Sequence, residues 1–427
     1  MLFRRLSLCS LLLLTFNLFG QESSKDTLKL TLKQAENTFI SQNLSLLAQK
    51  YNIDANKALI LQAKLYPNLE INLVQGAYNP VTKKWFEQDY QNGEQAYQLS
   101  QLIVLSHKIK KQTKIAETNY KLAEDNFYDL LRTLKFALRS NFYNIYYLQQ
   151  TSKVYDQEIT ALQNVVNSYD KVKDKGYVSK SDLVLVQAQL YSLRSEYQNL
   201  IENINDLQSQ TRLVLQLPSK TYIQPFVDPE IAKESPFEYT LKSLLDSAYQ
   251  NRTDLLIAQD NVTLSQQNLD YQKALAVPDI TLGAGFDRHG GFVSNFSEVS
   301  VGFAIPIFNR NQGNIKNSKI LIDYYKTQLQ QTRQGLDEQI ARGMEKAVDA
   351  DKLLTGIDST FKDNFNSLAT EMLNNYLRRN VNILQFLTFY DAYKQNVIQL
   401  NSILYNKVNA LENLNFLTGT NFYNKQN

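Results

Sequence analysis

The sequence has few of the residues that break helices. Its 427 residues include only 14 glycines and 8 prolines, well below average usage of about 7% and 5%. Between Gly93 and Pro218 the single breaker is Gly176, and no proline follows Pro306. That scarcity of turns excludes a stack of compact domains and predicts very long helices. Long apolar runs are also missing. Beyond the N-terminus none approaches the roughly 18 residues of a spanning helix, and mean hydropathy is −0.37. The net charge of +3 gives no support for nucleic-acid binding.

Groups that carry chemistry are equally sparse. The one cysteine, Cys9, lies inside an apparent export signal, so the mature chain would have no disulfide, thiol nucleophile or thiolate metal site. Cys9 is a poor lipidation site, because bulky Leu8 precedes it and cleavage there would cut the apolar stretch. The two histidines, His107 and His289, are far apart and have no neighbours at metal-ligand spacing. Beyond Met1 the methionines are Met344 and Met372. No G-x-S-x-G, Walker sequence, paired His–carboxylate cluster or Asp-rich calcium run is present. The expectation is a protein without enzymatic activity, cofactor or resident metal.

What the chain does contain is organised. Residues 1–20 have the charged start (Arg4, Arg5), the apolar stretch (Leu6 to Phe19) and the cleavage region of a secretory signal. After it the sequence repeats with a period of about 210 residues, as expected for internal duplication of a whole structural unit. Thr31-Leu32-Lys33, Ala48-Gln49 and Pro67-Asn68 match Thr240-Leu241-Lys242, Ala258-Gln259 and Pro278-Asp279. Each copy reads as helix, proline, strand, loop, strand, very long helix, tight turn and shorter helix. The predicted first repeat is 21–216, with strands at about 68–78 and 95–104 and a tip near 176. The proline-bearing segment 217–237 reads as a linker, and the second repeat is 238–427, with strands at about 279–288 and 297–307 and a tip near 380.

The strands alternate. Leu69, Ile71 and Leu73 interleave with Glu70 and Asn72, and Tyr97 and Leu99 with Gln98 and Ser100. Ile280, Leu282, Ala284 and Phe286 interleave with Thr281, Gly283, Gly285 and Asp287, and Val299, Val301, Phe303 and Ile305 with Ser300, Gly302 and Ala304. Runs of about 9–11 residues suit a tilted strand crossing a bilayer, and equally a half-buried sheet on a soluble domain. The loops between them carry Trp85, Phe86 and Tyr90. From His107 to Lys173 no breaker occurs, which predicts a helix of about 100 Å. Its return partner carries Val186, Leu190, Leu193, Tyr197, Leu200, Ile204 and Leu207 at steps of 4 and 3, a coiled-coil seam. The second half repeats this with a helix from about Asn311 to Leu377, interrupted by Gly335, Gly343 and Gly356, and a return helix carrying Val397, Leu400, Leu404, Val408 and Leu411. Such helices have to pair along their length with one another or with further copies.

Four strands cannot close a barrel, and an open edge is not tolerated in lipid. The segment Phe303-Ala304-Ile305-Pro306-Ile307-Phe308-Asn309-Arg310-Asn311-Gln312-Gly313-Asn314-Ile315 resembles the strand-to-helix junction of the TolC outer-membrane efflux family. The Arg-Asn-Gln-Gly portion is most like the heavy-metal branch typified by CzcC. The resemblance extends over nearly all of residues 28–420. It implies a mainly α fold with a small transmembrane β part, in which duplicated long hairpins form a periplasmic tunnel and four strands per chain join a twelve-stranded trimeric barrel. It further implies the passive outer-membrane channel of a tripartite pump, with a homotrimer in outer-membrane lipid, a periplasmic adaptor and a proton-driven inner-membrane transporter as partners. The cargo on this reading is heavy-metal cations. Drug efflux and type I secretion are rivals on the same fold, and a soluble periplasmic coiled-coil adaptor or structural protein is the rival from another class.

The resemblance also assigns sites. Adaptor docking falls to the tips: Gly176, Tyr177, Val178 and Ser179 in the first repeat, and Arg379, Asn380, Val381 and Asn382 in the second. Gly176 permits the reversal, Ser179 and Asn382 can cap the returning helices, and Asn380 stands where the other tip has glycine. The junction residues are Pro306, Phe308, Asn309, Arg310, Asn311, Gln312 and Gly313. Some family members narrow the tunnel with acidic rings just after the second tip, but here no Asp or Glu lies between Glu371 and Asp391. Gln385 and Thr388 stand at that level instead, and Arg378 and Arg379 are the candidates for bonds that hold the entrance shut.

Overall fold

The computed structural model describes residues 26–87, 92–172, 179–289, 293–357, 367–368, 371–376, 378 and 380–424. The first repeat contains α1 (Leu32–Gln42), α2 (Leu44–Lys64), β2 (Glu70–Gln75), β5 (Gln95–Ile103), α3 (Lys108–Val172) and α4 (Lys180–Leu215). The second contains α5 (Leu241–Asn251), α6 (Thr253–Leu275), β7 (Ile280–Asp287), β8 (Phe296–Phe303), α7 (Gln312–Thr355) and α8 (Ile383–Thr418). Two short strands, β3 (Tyr78–Asn79) and β4 (Lys84–Trp85), form a small hairpin in the first inter-strand loop. The remaining strands, β1 (Asp26–Thr31) and β6 (Thr221–Phe226), pair in parallel.

At 65 residues, α3 is about 98 Å long. It lies along α2 and α6 towards its start and along α4 and α8 towards its end. The predicted seam of α4 is present: Val186, Leu190, Leu193, Ile204 and Leu207 are buried, and Tyr197 and Leu200 pack against the same cluster. On α8 the seam buries Val408 and Leu411. No described helix is long and apolar enough to cross a membrane.

Four features depart from the sequence reading. Where one helix is expected before each proline there are two, broken at Asn43 and Arg252. Each break is tied to the end of the repeat's last helix. Asn43 caps α2 by accepting from the Leu46 amide and donates through Nδ2 to the Val214 carbonyl, 2.8 Å away. Arg252 donates to the Leu417 carbonyl at 3.2 Å. Secondly, the segment 217–237 contains β6, and Ile223 of that strand and Val227 just after it are buried in the core around Leu138 and Phe142. Thirdly, α7 ends at Thr355, with Gly356 as its C-cap, so the helix does not run unbroken to Leu377. Fourthly, β8 ends at Phe303, leaving Ala304 to Ile307 outside the strand.

One long-helix glycine has a packing reason. A Cβ on Gly343 would stand 2.7 Å from Leu417 Cδ1 and 3.2 Å from Leu414 Cδ2, so this glycine lets α7 and α8 approach closely.

Candidate functional site: an open sheet on a helical shaft

The strands of both repeats merge into one antiparallel sheet of order β2-β5-β7-β8, with β5 paired to β7 across the duplication. The register separates two faces. One carries the rows Ile71–Leu99–Ala284–Val299, Leu73–Tyr97–Phe286–Ser297 and Ile103–Ile280–Phe303. The other carries Asn72–Gln98–Gly285–Glu298 and Glu70–Ser100–Gly283–Ser300. The apolar face is uncovered in the single chain: Val299 is 87% exposed and Ile71 68%. The edges β2 and β8 have no further strand partner among the described residues. On the polar face, glycine makes room for long neighbours. A Cβ on Gly285 would stand 2.8 Å from Glu298 Oε1.

Both exits from the sheet into a long helix use positive-φ residues and bonds to α6 or the residues just after it. Ahead of α7, Asn311 has φ 56°, a conformation that asparagine tolerates better than most residues. Its Nδ2 donates to the backbone carbonyl of Gln272 and to Gln272 Oε1, both at 2.8 Å. The Asn311 amide donates to Asn309 Oδ1 at 3.0 Å, the Arg310 amide to Gln312 Oε1 at 2.8 Å, and Gln312 Nε2 to the Phe308 carbonyl at 3.2 Å. The motif Asn-Arg-Asn-Gln is therefore a self-bonded turn. Pro306 precedes it, Phe308 is 91% exposed, and Gly313 has open space where a Cβ would stand.

Ahead of α3, Ser106 and His107 have φ 58° and 56°. Here Lys108, nearly buried, donates through Nζ to Asp279 Oδ1 and to the Val277 carbonyl, both at 2.7 Å. Asp279 Oδ1 also accepts from the Leu105 amide at 2.8 Å. This junction escaped the sequence reading. The available signal was that Pro278 is followed by Asp where Pro67 is followed by Asn.

At the far end of the shaft, Ser179 caps α4 by accepting from the Ser181 amide at 3.2 Å. Asn382 and Gln385 form a reciprocal capping box on α8, with bonds of 2.9 and 3.2 Å. Gln385 and Thr388 are exposed, and Gln385 has this local role. The helix before the second tip closes with a bond from the Asn380 amide to the Asn375 carbonyl at 2.9 Å. Arg378 is exposed and Val381 partly so. Gly176, Tyr177, Val178 and Arg379, like Tyr90, lie outside the described residues.

The contacts that do join the helices here are aromatic and ionic. Tyr169 Oη bonds Tyr376 Oη. Tyr376 stacks on Phe386 with centroids 4.4 Å apart, and Phe386 meets Tyr390 at 4.5 Å. Lys394, 1% exposed, joins Glu196 Oε2 at 2.7 Å and Asp391 Oδ1 at 3.2 Å. Nearby Glu158 is 3% exposed. Burial pushes its carboxyl up to about 8; Lys394 opposes the rise, while Asp391 and Glu196 add to it. Higher on the shaft, Arg139 bonds Glu36 on α1 and Glu412 on α8, the latter at 2.7 Å, joining the two repeats.

No protein-family profile matches the chain, and no curated protein matches it in sequence. Its structure does match solved structures. A membrane protein from Pseudomonas aeruginosa has a TM-score of 0.73 at 15% identity, with 91% of this chain and 92% of that chain covered. The CmeC outer membrane channel of Campylobacter jejuni has a TM-score of 0.71 at 13% identity, with 93% and 87% covered. CusC, described in terms of its folding and transmembrane channel formation, has a TM-score of 0.70 at 15% identity, with 95% and 96% covered. At these identities the likeness is one of fold, and it runs over nearly the whole of each chain: this protein has the fold of outer-membrane channels.

Proposed function

We propose that the protein is the outer-membrane channel of an efflux pump, a passive duct of the TolC type. The observation that carries this reading is the sheet. It has an uncovered apolar face, a polar face and two open edges, and it is joined to a helix of about 98 Å. In water such a face would favour aggregation, and in lipid such edges require further strands. Three chains would close a twelve-stranded barrel, with Glu70, Asn72, Gln98 and Glu298 towards its lumen and Ile71, Leu99 and Val299 towards lipid. The long hairpins would continue the lumen through the periplasm. Export by residues 1–20 fits that location.

On this reading the tips around Gly176–Ser179 and Arg379–Asn382 dock a periplasmic adaptor, which joins the duct to an inner-membrane transporter that supplies the energy. Arg378 and Arg379 would help to hold the entrance closed. The cargo is set by the transporter, and the Arg310-Asn311-Gln312-Gly313 portion of the junction favours heavy-metal cations. The test is fractionation of cells expressing the tagged full chain, followed by native mass measurement in detergent. Recovery in the outer membrane as an assembly of three chains is expected. Recovery in the soluble periplasm as a monomer would overturn the reading and favour a coiled-coil adaptor or structural rod.

A further inference from the structure

A cavity of about 690 Å³ lies between α3, α8 and the segment after β6, within the usual range of small-molecule sites. Tyr146, Tyr147, Tyr390 and Tyr393 are among its lining residues, with Pro229 and Ala232 on the third side. Glu158 also lines it. That side chain is 3% exposed, and its Oε1 has no hydrogen-bond partner among the described residues. A buried carboxyl oxygen left unpaired is costly, so a ligand donor met by a small rotation of this side chain towards the cavity would satisfy a need that the fold leaves open.

The surrounding charges say which kind of donor. Lys394 from α8, which is not among the lining residues, is committed to Glu196 of α4 and Asp391 of α8. Three carboxyl groups thus share one lysine. The other groups near Glu158 are Tyr155 and Lys153 on its own helix and the tyrosines of α8. Lys153, which also lines the cavity, is committed to Gln150 at its exposed rim. On the segment after β6, Glu230 and Lys233 pair with each other. Even with Glu158 protonated, two carboxylates against one lysine leave the cluster net negative, which favours an added cation over an anion. A metal ion is a poor fit, since it demands several oxygen ligands and no group of three or more Asp, Glu, His or Cys side chains converges among the described residues. Aromatic walls around one carboxyl instead suit an organic ammonium, held by an ion pair and by cation–π contact.

We propose that this cavity binds an organic ammonium ion of aromatic-amine size, with Glu158 as its counter-ion. The argument for the site rests on this chain's own residues and not on the channel reading. Because burial keeps the Glu158 carboxyl protonated at neutral pH, binding of R–NH₃⁺ drives that proton to solvent and leaves a carboxylate–ammonium pair.

The test uses the purified full chain in detergent with 2-phenylethylammonium, titrated by calorimetry. Saturable binding is expected with release of about one proton near pH 7, read from the dependence of the heat on buffer. Affinity should rise about tenfold from pH 6 to pH 7 and level off above pH 8. The neutral analogue 2-phenylethanol and the anion phenylacetate should bind at least tenfold more weakly. Glu158→Gln should weaken the amine at least tenfold and abolish the pH dependence, whereas Tyr393→Leu should weaken it severalfold and keep proton release. Absence of saturable binding, equal binding of the neutral analogue, or pH-independent affinity in the unaltered protein would each overturn the proposal, even if Glu158→Gln fails to fold. Equal affinity in a folded Glu158→Gln protein would do the same.

Discussion

Val299 and Glu298 are neighbours on β8 and point to opposite faces of the sheet, and this permits a sharp contrast. Val299 is 87% exposed in the single chain and ends the row Ile71–Leu99–Ala284–Val299. If that face meets water, Val299→Lys is an ordinary surface change worth within about 0.5 kcal/mol. If it meets lipid, the ammonium sits near the middle of the spanning strand. There lysine costs about 2–4 kcal/mol per chain, or roughly 30- to 700-fold in an assembly equilibrium, and each chain of the barrel incurs it. Glu298→Lys is the control: it lies on the polar face opposite Gly285, and a water-filled lumen tolerates it. The assay is the yield of heat-stable oligomer extracted from outer membranes, quantified on gels against the unaltered protein. Val299→Lys is expected to remove nearly all of it and Glu298→Lys to leave it close to unchanged. Equal yields for the two variants would refute the assignment of the faces.

Further outcomes follow from particular contacts. Arg139→Met should strand Glu412, which is 1% exposed, and destabilise the protein by about 3–5 kcal/mol; Arg139→Met with Glu412→Gln should restore most of this, as read from chemical denaturation followed by circular dichroism. Asp125 is held up to about 6, chiefly by burial and then by its bond and proximity to Asp260. Its folded pKa lies above the unfolded value, so the stability it lends is present at low pH and lost as pH rises through about 6. Asp125→Asn should then be neutral near pH 4 and stabilising by about 1–2 kcal/mol at pH 8, measured as the shift in the denaturation midpoint between the two pH values. Gly335→Ala, with open space at its Cβ, should stabilise α7 by about 1 kcal/mol, while Gly343→Ala should be net destabilising, because the clash with Leu417 and Leu414 outweighs that gain; opposite signs in thermal melts are the check. Tyr376→Ala removes the stack on Phe386 and the bond to Tyr169, and should raise single-channel conductance by loosening the helix ends.

The parts of this fold that were legible in the sequence are those with a local cause. Alternation in β7 and β8 is a period-two pattern, the α4 seam is a pattern of threes and fours, and the caps at Ser179 and Asn382 are set by their own side chains. The parts that were not legible depend on distant partners. Asn43 and Arg252 mark breaks where the carbonyls of Val214 and Leu417 are within reach; asparagine is a favoured cap whose signal is common along this chain, and arginine is no breaker by propensity. The parallel pairing of β1 with β6 joins segments almost two hundred residues apart, and β6 sits in a stretch whose prolines suggest only a linker. Lys108–Asp279, Arg139–Glu412 and Lys394–Glu196 are ordinary charges in the sequence and become buried ties only after folding. The junction motif was visible as a resemblance, but its cause, the left-handed Asn311 bonded to Gln272, needed the neighbouring helix. Gln385, expected near a gate, is occupied in capping.

On the proposed function, the exposed face of the sheet is a membrane surface around a conducting lumen. Reconstitution of the purified full chain into planar lipid bilayers tests it most directly. Discrete, long-lived conductance steps are predicted, abolished by Val299→Lys and preserved by Glu298→Lys. A protein that reaches the bilayer and yields no steps, or steps that Val299→Lys leaves untouched, would contradict it.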